Sequence, residues 1–121
     1  MLVMSKRFAE AVYLLESACR EDETNLDYLN YLGMAYMGTG ELERGKEIFK
    51  RALQLDPAYA PALNNLGYLN LTYFVQRKEE KYPDLAIDNF NEALKNNPRL
   101  EAALRGKELA DKYKNEIYRG R

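Results

Sequence analysis

The chain of 121 residues contains no histidine, which removes the commonest general base and the commonest metal ligand. Its single cysteine, Cys19, permits no internal disulfide and suits a reducing cytoplasm. Without a histidine partner, and beside Ala18 in a helical stretch, Cys19 reads as a small buried apolar side chain rather than a nucleophile. Charge of one sign is missing too. Eighteen basic residues against nineteen acidic leave a net charge of −1, so no whole-molecule field gathers nucleic acid or anionic lipid. Only the C-terminal stretch is locally basic, through Arg105, Lys107, Lys112, Lys114, Arg119 and Arg121. No run of 18 apolar residues exists, which argues against a membrane span. The opening Met1-Leu2-Val3-Met4-Ser5-Lys6-Arg7 puts its charge after a very short apolar stretch, the wrong order for a secretory signal, and a cytoplasmic protein is expected. Gly38-Thr39-Gly40 lacks the following lysine and preceding strand of a phosphate loop. Glu79-Glu80 and Glu21-Asp22-Glu23 are adjacent carboxylates, expected on helices, where such neighbours point apart and are merely solvated. No enzyme, cofactor or metal is expected.

What is present is a repeat. Leu29-x-x-Leu32-Gly33 recurs 34 residues on as Leu63-x-x-Leu66-Gly67. Ala11, Leu15 and Ala18 recur at the same spacing as Gly45, Phe49 and Ala52, and again after 41 residues as Ala86, Phe90 and Ala93. Leu29, Leu32, Gly33 and Tyr36 form one helical stripe, which Gly38-Thr39-Gly40 breaks. A second stripe runs Leu42, Gly45, Ile48, Phe49, Ala52, Leu53 until Asp56-Pro57 stops it. A period of this length marks stacked supersecondary units, none able to bury its apolar face alone. Asn70-Leu71-Thr72 has the form of a glycosylation sequon but falls inside a predicted helix.

These residues resemble the tetratricopeptide repeat family, whose 34-residue signature places Leu-Gly, Tyr, Ala, Phe, Ala and Pro at fixed positions. Residues 26–59 match at Leu29, Leu32, Gly33, Tyr36, Phe49, Ala52 and Pro57. Leu29 stands where the family often has Trp, and Gly45 where it has Ala. Residues 60–100 match at Leu63, Leu66, Gly67, Ala86, Phe90, Ala93 and Pro98, with Asn70 in place of Tyr. The resemblance implies an all-α fold, a right-handed superhelical stack of antiparallel helix hairpins with about 2.5 repeats and a C-terminal capping helix. It forms one domain: a half-repeat helix at 5–25, full repeats at 26–59 and 60–100, and a cap at 101–118. The seven extra residues of the second repeat are expected to lengthen one helix from about Pro61 to Lys81, projecting roughly 10 Å. Phe74 is expected against Tyr82 and Leu85, with a solvated charged tip; the rival reading makes Tyr73, Phe74 and Val75 an aromatic docking edge where the extension leaves the body. Pro83 is expected in the first turn of the next helix. The cap, Arg99 to Tyr118, is expected to turn Leu104, Ala110, Tyr113 and Ile117 inward.

The resemblance also implies protein–protein interaction, with the first helices of the repeats lining a groove for a partner's extended or helical segment. Carried over position by position, the groove residues are Asn30, Met34 and Met37, then Asn64, Tyr68 and Leu71, then Arg105, Leu109 and Lys112. Asn30 and Asn64 suit hydrogen bonding to an extended backbone, and Met34, Met37 and Tyr68 offer adaptable apolar contact. Family members that clamp the terminal carboxylate of chaperone tails use lysine, asparagine and arginine at set positions. Here those positions hold Asn30, Met34, Asn65, Ala102 and Gly106, and only Asn65 fits, so no such clamp is expected. The rival reading is a homodimer. The first helix, from about Lys6 to Glu21, would leave Phe8, Val12 and Leu15 partly uncovered unless Met1 to Met4 fold over them. Three repeats are the usual minimum for stability, and a second copy would cover that edge.

Overall fold

The stripes and breaks become six helices. The computed structural model describes residues 2–120, with side chains from residue 6 on. In order these are α1 (Leu2–Glu21), α2 (Leu26–Gly38), α3 (Leu42–Leu55), α4 (Ala60–Arg77), α5 (Lys81–Asn96) and α6 (Glu101–Arg119). The described residues contain no strand, and no helix among them is long and apolar enough to cross a membrane. The fold is all-α. The chain divides into two compact units, one ending at Pro57 and one starting at Ala58.

In the first unit α2 packs on both α1 and α3. The Asn25 side chain caps α2 by accepting the Tyr28 N–H at 3.0 Å, which satisfies one of the orphan donors of the first turn. At the other end Gly40 takes φ +84°, a left-handed conformation that costs glycine little. Beside it the Glu41 N–H bonds the Tyr36 carbonyl at 2.8 Å and the chain reverses. Gly33 lies so close to the Phe49 ring that a Cβ there would overlap it, and Leu29, Phe49 and Ala52 are fully buried at this seam. The helix α1 begins earlier than the sequence suggests, with Leu2 to Met4 as helix. Any cover from the side chains of Met1 to Met4 lies outside the described residues. Phe8 packs its ring on Gly38, and the Tyr36 hydroxyl donates to the Glu16 carboxylate across the α1–α2 seam.

In the second unit all three helices touch one another, and Phe90 of α5 sits at their centre. Its ring lies against Gly67 of α4 and Gly106 of α6, where a Cβ on either glycine would overlap it. Tyr68 meets the same ring edge-on, with centroids 5.0 Å apart. Asn70, in the sequon, donates its amide to Asn89 Oδ1 at 2.7 Å, which makes it a packing residue of the α4–α5 seam.

The insertion is absorbed differently from the expectation. The loops α2–α3 and α4–α5 each hold three residues, while α4 is five residues longer than α2 and α5 two longer than α3. Both arms of the hairpin grow. The first arm stops at Arg77 because Lys78 adopts the left-handed conformation, φ 58°, and its N–H bonds the Phe74 carbonyl at 2.8 Å. Glycine is the usual residue at such a cap, so its absence hides this helix end from the sequence. The added turns are not a bare tip. Tyr73 stacks on Tyr82 at 5.3 Å and Phe74 tilts onto Tyr113 of α6 at 5.0 Å, all but Tyr113 being buried. Arg77 lies over Tyr73 and bonds the Tyr82 hydroxyl at 2.8 Å. Phe74 therefore pairs with α6 rather than with Tyr82, and Leu85 is exposed.

The terminal helix needs one correction. Ala103, Gly106 and Ala110 form its buried stripe, with Tyr113 and Ile117 half-buried beyond it. Leu104 is exposed. Gly106 must face Phe90, and at 100° per residue a leucine two positions earlier is carried round to solvent.

Candidate protein-binding site

The nine groove residues taken from the sequence fall into two sets, one in each unit. In the first unit α2 carries Asn30, Met34 and Met37. Asn30 is buried, with its amide 3.9 Å from the Met34 sulfur. Met34 is exposed and Met37 half-buried. Beside them Tyr28 and Tyr31 are also exposed, and Tyr31 shares a stripe with Met34 at i, i+3. The repeat signature carries no information on them, so the sequence reading passes them over.

In the second unit the structure brings three of the chosen residues to one place. Tyr68 and Leu71 of α4 and Leu109 of α6 line a single cavity of about 320 Å³, completed by Thr72, Val75 and Tyr113. Tyr68 is fixed from behind, its hydroxyl donating to the Ala102 carbonyl of α6. Burial pushes its pKa up, opposed by the nearby Arg105 charge, so it stays a neutral phenol at physiological pH. Val75 is 50% exposed and Leu109 36%, and these two form the open apolar lip. Thr72, Val75 and Tyr113 are functional candidates that repeat alignment misses. Val75 lies in the turns added to α4, where no family position corresponds.

Asn64 lies one turn before Tyr68 on the same stripe of α4. It is only 8% exposed, and its Oδ1 has no hydrogen-bond partner among the described residues. An unpaired buried acceptor costs about 1–3 kcal/mol, so this position is carried at the expense of stability. Arg105 and Lys112 are exposed on α6, and Arg105 is 3.3 Å from Glu101 in a pair with both side chains largely in solvent. Such a pair is worth little and exchanges readily.

The residues chosen for self-association are only partly covered, as a half-repeat without its first helix would leave them. Phe8, Val12 and Leu15 are half-buried, Phe8 against α2. The bare apolar side chains of α1 are Tyr13 and Leu14, 70% and 66% exposed. They line an open hollow of about 470 Å³ with Lys6, Ala9 and Glu10. Cys19 is buried. Desolvation raises its pKa against the Arg51 charge, with Asp22 adding to the rise, and the thiol is held protonated and unreactive at neutral pH. No group of three or more metal-ligating side chains occurs among the described residues.

Paired antiparallel helices, small residues under a central phenylalanine and a 34-residue period define a helical repeat protein. The profile of the tetratricopeptide repeat matches residues 2–66, and the chain belongs to that family. It is 26% identical over 113 residues to heat shock protein STI1 of Saccharomyces cerevisiae, covering 88% of this chain and 19% of that protein. It is 31% identical over 100 residues to the chloroplastic tetratricopeptide repeat domain-containing protein PYG7 of Arabidopsis thaliana, covering 83% and 31%. It is 33% identical over 85 residues to the repeat-containing protein YpiA of Bacillus subtilis, covering 70% and 18%. The chain thus spans about a third or less of these relatives. The crystal structure of the Sgt2 tetratricopeptide repeat domain from Aspergillus fumigatus has the same fold, with a TM-score of 0.80 at 22% identity over 94% of this chain and 72% of that one. Proteins of this kind are interaction modules.

Proposed function

We propose that this chain is an adaptor or assembly module that holds a segment of a partner protein on the faces of its first helices. The observation that carries the reading is the cavity of the second unit. Tyr68, Leu71 and Leu109, chosen from two helices on repeat position alone, line one apolar hollow with an open lip. Concave apolar surface with a few polar groups at its margin is what binding sites are made of. The set on α2, with Met34 and Tyr31 exposed, offers a second apolar contact. No carboxylate clamp is part of the reading, since four of its five positions hold other residue types. A cytoplasmic setting suits the buried free thiol. The test is to pan a displayed random peptide library on the chain and measure the affinities of the enriched peptides. Binders that lose tenfold or more on Leu109→Lys or Met34→Lys support the reading, and binders indifferent to both overturn it.

A second reading, self-association, is favoured by the bare face of α1. Tyr13 and Leu14 are exposed together, and Lys6 and Glu10 on the same helix give charges that match in an antiparallel pair. Phe8 packs on Gly38, so Leu14→Glu, on the exposed face, is the cleaner probe. Light scattering at two concentrations should give twice the chain's 14.1 kDa, and Leu14→Glu should return the monomer. A wild-type monomer at both concentrations excludes this reading.

A further inference from the structure

Between α1 and α3 lies a cavity of a different kind. Both helices pack on α2 but not on each other, which leaves a hollow of about 210 Å³ over the buried Leu32 and Tyr36. Its walls are Glu16, Cys19 and Arg20 of α1, Glu23 of the following turn, and Ile48 and Arg51 of α3. It lies on the side of α2 away from Asn30 and Met34, because two positions along a helix carry a side chain about 200° round. We propose that this cavity binds a free α-amino acid with a short apolar side chain. Arg51 and Arg20 take the carboxylate, Glu23 the ammonium, and Leu32, Ile48 and Cys19 the side chain. The inference stands apart from partner binding by the first helices.

Charge, floor and size support that choice. Glu16 is already engaged, since it accepts the Tyr36 hydroxyl. Burial, and then that bond, push the Tyr36 pKa up to about 12, so the phenol keeps its proton and its hold on Glu16. Arg51 and Glu23 form no ion pair among the described residues, and Arg20 bonds only the neutral Ser17 hydroxyl, at 3.1 Å. Two cations and one anion thus stand open around one hollow. A simple carboxylate leaves Glu23 unpaired beside a second negative charge, and a simple amine leaves both arginines unpaired. A molecule with both groups on one carbon satisfies all three, the guanidinium forks taking the carboxylate. Phosphate, with its double charge, meets two carboxylates in the same walls. Below the charges Leu32 and Cys19 are buried and Ile48 is half-buried. Desolvation keeps the Cys19 thiol protonated, so the floor is apolar. Size then bounds the ligand: 210 Å³ lies below the roughly 300–1,000 Å³ of drug-sized sites. A peptide is disfavoured by charge as well, because each of its ends carries only one of the two groups.

The test is isothermal titration of the full chain with L-leucine, L-isoleucine and L-methionine. Two leucine analogues are run beside them, 4-methylpentanoate without the ammonium and 3-methylbutylamine without the carboxylate. One leucine per chain is expected, with both analogues at least tenfold weaker. Arg51→Gln and Glu23→Gln should each weaken leucine tenfold or more, and Glu23→Gln should bring leucine and 4-methylpentanoate level. Both residues are exposed, and circular dichroism should show both variants folded. In NMR titrations the Leu32 and Ile48 methyl signals should shift, while that of Met34, on the other face of α2, should stay. The inference is overturned by the absence of both heat and methyl shifts with all three amino acids at about 10 mM. Equal binding of leucine and 4-methylpentanoate by the wild type also overturns it, as does tighter binding of inorganic phosphate. So does leucine binding that is indifferent to Arg51→Gln or to Glu23→Gln.

Discussion

Single residues set the tightest constraints in this molecule, and the smallest ones set most. Gly67 and Gly106 hold the Phe90 ring between two helices, and either would overlap it if it carried a Cβ. In an open helix Gly→Ala stabilises by up to about 1 kcal/mol. Here the overlap outweighs that gain, and Gly106→Ala should destabilise by about 1–3 kcal/mol in urea unfolding. An unchanged or higher midpoint would show that the Phe90 ring moves aside freely. Leucines could be read as core from their spacing, but which of them faced inward could not. Leu104 lost that place to Gly106 because a glycine was the only residue that fitted the ring.

At the scale of the element, helix ends are where the sequence is least explicit. Gly40 announces its turn and Asn25 its cap, both through side chains with a known local preference. Lys78 announces nothing. It holds the left-handed cap of α4 that the pattern would give to glycine, at a cost of roughly 1–2 kcal/mol for a residue with a Cβ. It recovers part of this by lying 5.6 Å over the Phe74 ring, worth about 0.5 kcal/mol at an exposed site. The strain is the larger quantity. Lys78→Gly should therefore stabilise by about 0.5–1 kcal/mol in thermal or denaturant unfolding, and a loss of stability would place the ring contact above the strain. The same end explains why one long helix to Lys81 is not found. Seven added residues fit the helical phase equally well as one extended arm or as two. The aromatic pairs Tyr73–Tyr82 and Phe74–Tyr113 decide for two, and pairs between elements are invisible to a pattern read along one of them.

For the whole molecule, the absence of histidine has a consequence in pH. No side chain has its ordinary titration between about pH 5 and 8, so stability should be nearly level there. The alkaline limb is set in part by Tyr36, whose pKa is pushed up to about 12, first by burial and then by its bond to Glu16 and that carboxylate's charge, against Arg44. The folded state thus favours the protonated phenol. Its contribution is complete below pH 10, the ordinary phenol value, and is lost as pH rises toward 12. Denaturation midpoints should fall across that window, and the fall should be shallower in Tyr36→Phe. A curve that Tyr36→Phe leaves unaltered would mean that other tyrosines carry the alkaline loss.

The sequence by itself determined the all-α class, the family and the two hairpins. These depend on a 3.6-residue period and on side-chain volume, both written along the chain. It also named Tyr68, Leu71 and Leu109 among nine groove candidates, by carrying repeat position over from the family. Only the tertiary structure decided that these three share one hollow with Thr72, Val75 and Tyr113, that Asn64 keeps an oxygen unpaired, and that the bare face of α1 is Tyr13 and Leu14 rather than Phe8. Each of those is a fact about which atoms meet across elements, and it is fixed by packing rather than by spacing along any one helix.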